Sequence, residues 1–151
     1  YQFYARPMAH GERVTWCQEH VDAEWINPTD ETMDKHGCPK YALSLWFACR
    51  SQDMPLGNPA NIMSASLLLS MIAQCVDMMP DELIWSGGDC HIYLNQMDGV
   101  DEQLRRDPYK YSLPRLVLNP NIKNIDDFMF DDIKIENYQS YPTIKMPLSV
   151  G

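Results

Sequence analysis

The stretch from residue 58 to residue 78, NPANIMSASLLLSMIAQCVDM, constrains the fold more than any other part of the chain. Ile62, Ser66, Leu69, Ile72, Ala73 and Val76 recur at helical spacing. The stretch is apolar nearly all round, so a helix here should be buried. Asn58 is placed to cap it, and Pro59 suits its first position. Its flanks read as strands. In KYALSLWFACRS, Tyr41, Leu43, Leu45, Phe47 and Cys49 alternate with Ala42, Ser44, Trp46 and Ala48, which gives one apolar and one mixed face. DELIWSGGDCHIY reads as a second strand, with a glycine pair that signals a bulge or a close backbone approach.

Around this strand-helix-strand unit the expected architecture is α+β, a mixed sheet packed against a long buried helix. YQFY, from Tyr1 to Tyr4, reads as the end of a strand, and LPRLVLNP and the Ile133–Ile135 stretch as further strands. LNQMDGVDEQLRRDP reads as a helix that stops before Pro108. Residues 5–40 are rich in Pro, Gly and Asp and weakly periodic, so they read as a long insertion with one helical turn within a single domain over 1–151. A formal net charge of −9 argues against a nucleic-acid surface, and an anionic ligand would need a local cation. No run is long and apolar enough to imply a membrane partner. The five cysteines are odd in number and irregularly spaced, which suggests free thiols in a reducing, cytoplasmic setting.

Four groups of residues could carry chemistry. Arg50 and Ser51 suit a phosphate, through a guanidinium fork and a hydroxyl, and Asp53 can accept from an amide or ring N–H. Taken alone, the run also fits a solvated strand end. Asn61, in the first turn of the helix, offers the acceptor and donors that match a uracil edge, although helix-start capping is the favoured reading of the residue alone. Asp89, His91 and Tyr93 fall on one strand face, where a His and a Tyr can hold a sugar hydroxyl; a hydrogen-bonded core histidine is the plainer alternative. Cys17, His20, His36 and Cys38 are compatible with a tetrahedral zinc staple in the insertion, against a surface loop with free thiols. No nucleophile elbow, phosphate-cradling glycine loop or dinucleotide fingerprint is present.

Five ordered blocks, QFY, RSQDMPLGNPANI, MIAQ, WSGGDCHIYLNQMDGVDEQLRRDP, and FDDIKIENY with IKMPLSV, resemble the thymidylate synthase family. The resemblance implies condensation of dUMP with 5,10-methylenetetrahydrofolate to give dTMP and dihydrofolate, with no metal required. It implies that Arg50 and Ser51 hold the dUMP phosphate, with Gln52 beside them in the substrate site. It gives Asp53 to the base and the pterin of folate, and Asn61 to the uracil edge. His91 and Tyr93 would hold the deoxyribose hydroxyl. Gly57 would admit the ligands to the backbone, and Ser149 would sit where the tail meets folate. A homodimer is implied as well, each phosphate site borrowing arginines from the partner.

The chain departs from the family pattern in places. The nucleophilic cysteine belongs in a Pro-Cys context a few residues before YQFY, hence just before Tyr1, and none of Cys17, Cys38, Cys49, Cys75 or Cys90 stands in one. The expectation is therefore a C-terminal part of an enzyme, with no catalytic residue among 1–151 and no activity as a separate chain. The insertion is longer than the family's hairpin, Ala60 replaces an aromatic, and Gly151 extends the tail by one residue. A hydroxymethylase on the same scaffold is the alternative within the family, and Asn61 points to dUMP for either. A non-catalytic nucleotide-binding fragment with a zinc-stapled loop is the alternative from another class.

Overall fold

The computed structural model describes residues 1–21, 25 and 27–148. Strands β1 (Gln2–Pro7), β2 (Tyr41–Asp53) and β3 (Met79–His91) form one sheet in that order. β1 runs antiparallel to β2, and β2 parallel to β3. A parallel pair needs a crossover, which the long helix α3 (Gly57–Cys75) supplies. Leu43, Leu45 and Phe47 of β2 pack with Ala65, Leu69 and Ala73 of α3 as the main core. The mixed sheet against a long helix is the α+β architecture expected from the sequence.

YQFY is not the end of its strand, because β1 carries on past Tyr4 to Pro7. Pairing with β2 includes Gln2, opposite Trp46, and runs along the strand from there. The Tyr1 ring stacks on that of Phe47, with centroids 5.8 Å apart and planes 20° from parallel, yet it stays 74% exposed. The alternation of aromatic and polar residues reports a strand but not which end of it is in view.

The helix is less buried than its apolar character predicts. Ala65, Leu69 and Ala73 make a buried stripe one turn apart, while Met63 is 62% exposed. Ser64, Ser66 and Ser70 donate to the carbonyls of Ala60, Ile62 and Ser66, so their polarity is spent within the helix. Ile62, Leu68 and Ile72 flank the buried stripe and pack partly buried against the same core.

Asn58 is not the cap of α3. The helix opens at Gly57, and the turn before it is closed by Asp53, whose Oδ1 accepts from Leu56 N at 3.2 Å. Pro59 is the third helical residue, where its missing N–H is still harmless. Asn58 Oδ1 is buried and has no hydrogen-bond partner among the described residues. The other end is closed by Met78 N donating to Ala73 O at 2.9 Å, with Asp77 in the left-handed region at φ 52°.

The glycine pair of β3 marks close approach rather than a bulge. Pairing of β2 and β3 runs unbroken past it, from Cys49–Gly87 to Ser51–Asp89, and the irregularity lies between Leu43 and Leu45. A Cβ on Gly88 would stand 2.7 Å from the carbonyl oxygen of Arg50, so the tight pairing excludes a side chain there.

The insertion is more ordered than its composition suggests. β1 continues through Pro7, which pairs with Tyr41. Helices α1 (His10–His20) and α2 (Asp30–Lys35) follow. They close around the buried guanidinium of Arg13, which donates to Asp30 Oδ1 at 3.0 Å, to Asp34 Oδ1 and to Pro39 O at 3.2 Å. Cys17, Met33 and Cys38 form a small core beside it. The sequence shows only one helical turn here because the organising contacts are polar and carry no periodicity.

After β3, a 3-10 turn (Leu94–Gln96) leads into α4 (Met97–Leu104). β4 (Arg115–Leu118) and β5 (Ile133–Glu136) form an antiparallel pair. Gln74 of α3 donates to Asn119 O and Ile122 O, which ties the loop after β4 to the main unit. Among the described residues no helix is long and apolar enough to cross a membrane.

Candidate functional site

The carboxyl ends of parallel strands, next to a helix start, are where ligands of such sheets bind. β2 and β3 end together here, with Ser51 opposite Asp89 and Asp53 opposite His91. The register alone thus gathers two of the groups singled out in the sequence. Met54 N donates to His91 O at 3.0 Å and holds the two strand ends together as the chain turns into α3.

Arg50 and Ser51 are exposed, and among the described residues Arg50 has no ion-pair partner. Ser51 Oγ lies 3.5 Å from Asp89 Oδ2. A cation with no ion-pair partner among the described residues can receive an oxyanion. Asp53 is half-buried and held at both oxygens: Oδ1 accepts from Leu56 N, and Oδ2 accepts from Gln96 Nε2 at 3.2 Å. Each oxygen keeps a second lone pair for an incoming N–H.

Asn61 is exposed on the first turns of α3, and its Nδ2 donates to Gln52 Oε1 at 3.2 Å. Gln52, expected in the substrate site, is 2% exposed and lies directly behind Asn61. Gly57 fits against it, since a Cβ there would meet Gln52 Nε2 at 3.1 Å. The His91 and Tyr93 rings meet edge to face at 4.9 Å, and His91 Nδ1 lies 3.2 Å from Asp89 O. Both rings are half-buried and stand together, although Tyr93 lies beyond the end of β3 rather than on its face.

The four residues of the zinc reading do not converge. Cys17 and Cys38 share the small core, but His20 Nδ1 turns to Trp16 O at 2.8 Å and His36 Nδ1 to Thr32 O at 2.8 Å. Among the described residues no three His, Cys, Asp or Glu side chains gather to hold a metal ion. Each histidine bonds the carbonyl one turn back along the chain, which sequence spacing does not reveal. Burial pushes the Cys17 thiol up to about 11, so it stays protonated beside Cys38. Ser149 lies outside the described residues. The cysteine that the resemblance sets just before Tyr1 lies outside residues 1–151.

One residue at the site escapes the sequence reading. Gln96 is 1% exposed, accepts from Tyr93 N at 3.3 Å, and donates to Asp53 Oδ2 and to Pro147 O at 3.3 Å. It lies in a polar segment that opens a helix, where a glutamine carries no signal of burial.

Comparison with known proteins bears on the family and the fold. The family model described as thymidylate synthase matches residues 14–150. A thymidylate synthase of Mycoplasma mobile is 52% identical over 108 residues, which is 72% of this chain and 37% of the relative. A thymidylate synthase of Herpesvirus ateles is 39% identical over 161 residues, covering 93% of this chain and 55% of the relative. The solved structure of thermostable thymidylate synthase A from Bacillus subtilis superposes with a TM-score of 0.66 at 35% identity, covering 74% of this chain and 38% of that one. The chain thus spans roughly half or less of the length of the relatives it matches.

Proposed function

Since this chain belongs to the thymidylate synthase family, we propose that the protein carrying it methylates dUMP to dTMP with 5,10-methylenetetrahydrofolate. The observation that carries the reading is the gathering of Arg50, Ser51, Asp53, Asn61, His91 and Tyr93 around the joined ends of β2 and β3. Arg50 and Ser51 take the phosphate. Asn61, turned by Gln52, keeps its carbonyl oxygen and one N–H for the uracil edge. His91 and Tyr93 take the sugar hydroxyl, and Asp53 takes a pterin N–H.

Pyrimidine C5 is a poor nucleophile. Addition of a cysteine thiolate at C6 turns C4–C5 into an enolate that can attack the folate methylene. The reading places that thiolate ahead of Tyr1, outside residues 1–151. Cys17 and Cys38 are buried in the insertion, Cys49 packs against the main core, and Cys75 ends α3. Cys90 Sγ folds back toward Gly87. Residues 1–151 alone are then inactive. The reading includes a homodimer through the sheet face away from α3, where Tyr4, Trp46 and Ile84 stay uncovered. It also includes a reducing cytoplasm, in keeping with the free cysteines.

The test is turnover of dUMP and methylenetetrahydrofolate by the full protein, followed by dihydrofolate absorbance and product mass. Formation of dTMP supports the reading. A hydroxymethylated product or the absence of turnover rejects it.

A further inference from the structure

Three observations meet at the start of α4. Gln96 Nε2 bridges Asp53 Oδ2 on the β2 side and Pro147 O in the tail. Its Oε1 is engaged by Tyr93 N, so the amide cannot rotate without losing a bond. One turn on, Gly99 lies against the tail: a Cβ there would stand 2.7 Å from Met146 Cγ and 3.2 Å from Ile144 Cγ2. The tail at 144–147 is therefore seated on α4 at two points, and one of them also holds a carboxylate of the site.

We propose that Gln96 is a positioning residue that aligns Asp53 for folate only while the tail is seated on Gly99. This rests on the functional reading above, because it concerns the residue that reading gives to the pterin. The physical ground is simple. A carboxylate on one bond, to Leu56 N, can still swing about χ2, whereas a second bond from a buried amide fixes both oxygens. The buried amide has the tail carbonyl as its other acceptor. Loss of the seated tail would leave an N–H of Gln96 unpaired, and the amide would shift to regain a partner.

The test uses the full protein. Gln96→Met keeps the volume of the side chain and removes the amide, and Gln96→Glu keeps the shape and removes the donor. Both are expected to raise the KM for methylenetetrahydrofolate about tenfold or more, the effect of losing a hydrogen bond to a charged group. Calorimetric affinity for dUMP should stay within about twofold of wild type, since the phosphate and uracil groups keep their partners. Gly99→Val attacks the other end of the link and is expected to shift the folate KM in the same direction with dUMP binding retained. An unchanged folate KM in Gln96→Met or Gly99→Val overturns the proposal. A parallel fall in dUMP affinity overturns it too, since that marks a merely structural role. Wild-type protein that fails to bind dUMP would instead reject the functional reading itself.

Discussion

The side-chain amide of Asn61 donates to Oε1 of Gln52 at 3.2 Å, across the turn that joins β2 to α3. Gln52 is buried and Asn61 exposed, so the inner amide dictates which way the outer one faces. An asparagine free to flip presents its donor and acceptor in either order. Gln52→Leu should therefore raise the KM for dUMP about three- to tenfold in the full protein, the worth of a neutral hydrogen bond, with kcat little changed. Steady-state kinetics read this directly. An unaltered KM would show that Asn61 is oriented by something else.

Arg50 offers the strand-end cation to which the reading gives a phosphate. Replacing it by Lys keeps the charge but loses the planar fork. Arg50→Ala should weaken dUMP binding about 10- to 100-fold, and Arg50→Lys by less. Deoxyuridine, which lacks the phosphate, should bind wild type and Arg50→Ala alike. A penalty of equal size for deoxyuridine would place Arg50 away from the phosphate.

In the insertion, Arg13 is the organising centre, where the sequence also allows a zinc staple. Its buried guanidinium ties α1 to α2 and to the Cys38–Pro39 backbone. Arg13→Met should leave carboxylates and carbonyls without their donor. Hydrogen exchange should then accelerate in α1 and α2 while β2 and α3 keep their protection, because the two cores are separate clusters. A chelator should leave the exchange pattern of wild type unchanged. Loss of protection on chelation would restore the zinc reading.

How much of this is legible in the sequence depends on the kind of contact involved. The alternation of Leu43, Leu45 and Phe47 marks the core face of β2, because a strand's period of two is written directly into residue order. His91 is legible as the last residue of β3, whereas Tyr93 lies beyond the strand and meets it through a ring contact. Arg50, Ser51, Asp53 and Asn61 are legible as a run whose residue types suit a nucleotide. The role of Gln52 is not, since a polar residue at a strand end gives no sign that it points inward. Gln96 and Arg13 are hidden because each is satisfied by partners far along the chain, at Pro147 and Asp34 for instance. Long-range polar contacts leave no periodicity. Asn58 looks like a cap in the sequence, yet Asp53 has already closed the turn ahead of it.

Asn58 offers a way to stabilise the chain. Its Oδ1 is buried with no partner among the described residues, and an unsatisfied acceptor of that kind costs about 1–3 kcal/mol. Leucine keeps the branched outline of the side chain, is larger, and has no polar atom. Asn58→Leu should raise unfolding stability by about 1 kcal/mol in denaturant titration, with Tm rising in step. A loss of stability would mean that Oδ1 has a water partner worth keeping.

Glu12 predicts how the insertion responds to acid. Its carboxylate pairs with Arg6 at 2.8 Å and accepts from Ala9 N at 2.7 Å, and these bonds hold its pKa down to about 2 from the ordinary 4.5. A group depressed on folding binds fewer protons in the native state than in the unfolded one between those two values. Its contribution is therefore complete above about 4.5 and is lost as pH falls through about 2. Protection of the first turn of α1 should decline across that window, because the Ala9 amide and the Arg6 tether both depend on the charged form. Glu12→Gln keeps an acceptor for Ala9 N but carries no charge for Arg6. It should show weaker protection at neutral pH and a flatter profile below 4.5. Asp34, also lowered by Lys40 and Arg13, adds acid sensitivity at the far end of the same insertion. Amide exchange by NMR separates the two, since Glu12 governs the start of α1 and Asp34 the end of α2. Equal acid sensitivity of the α1 amides in wild type and Glu12→Gln would show that the Arg6 pair does not hold the helix start.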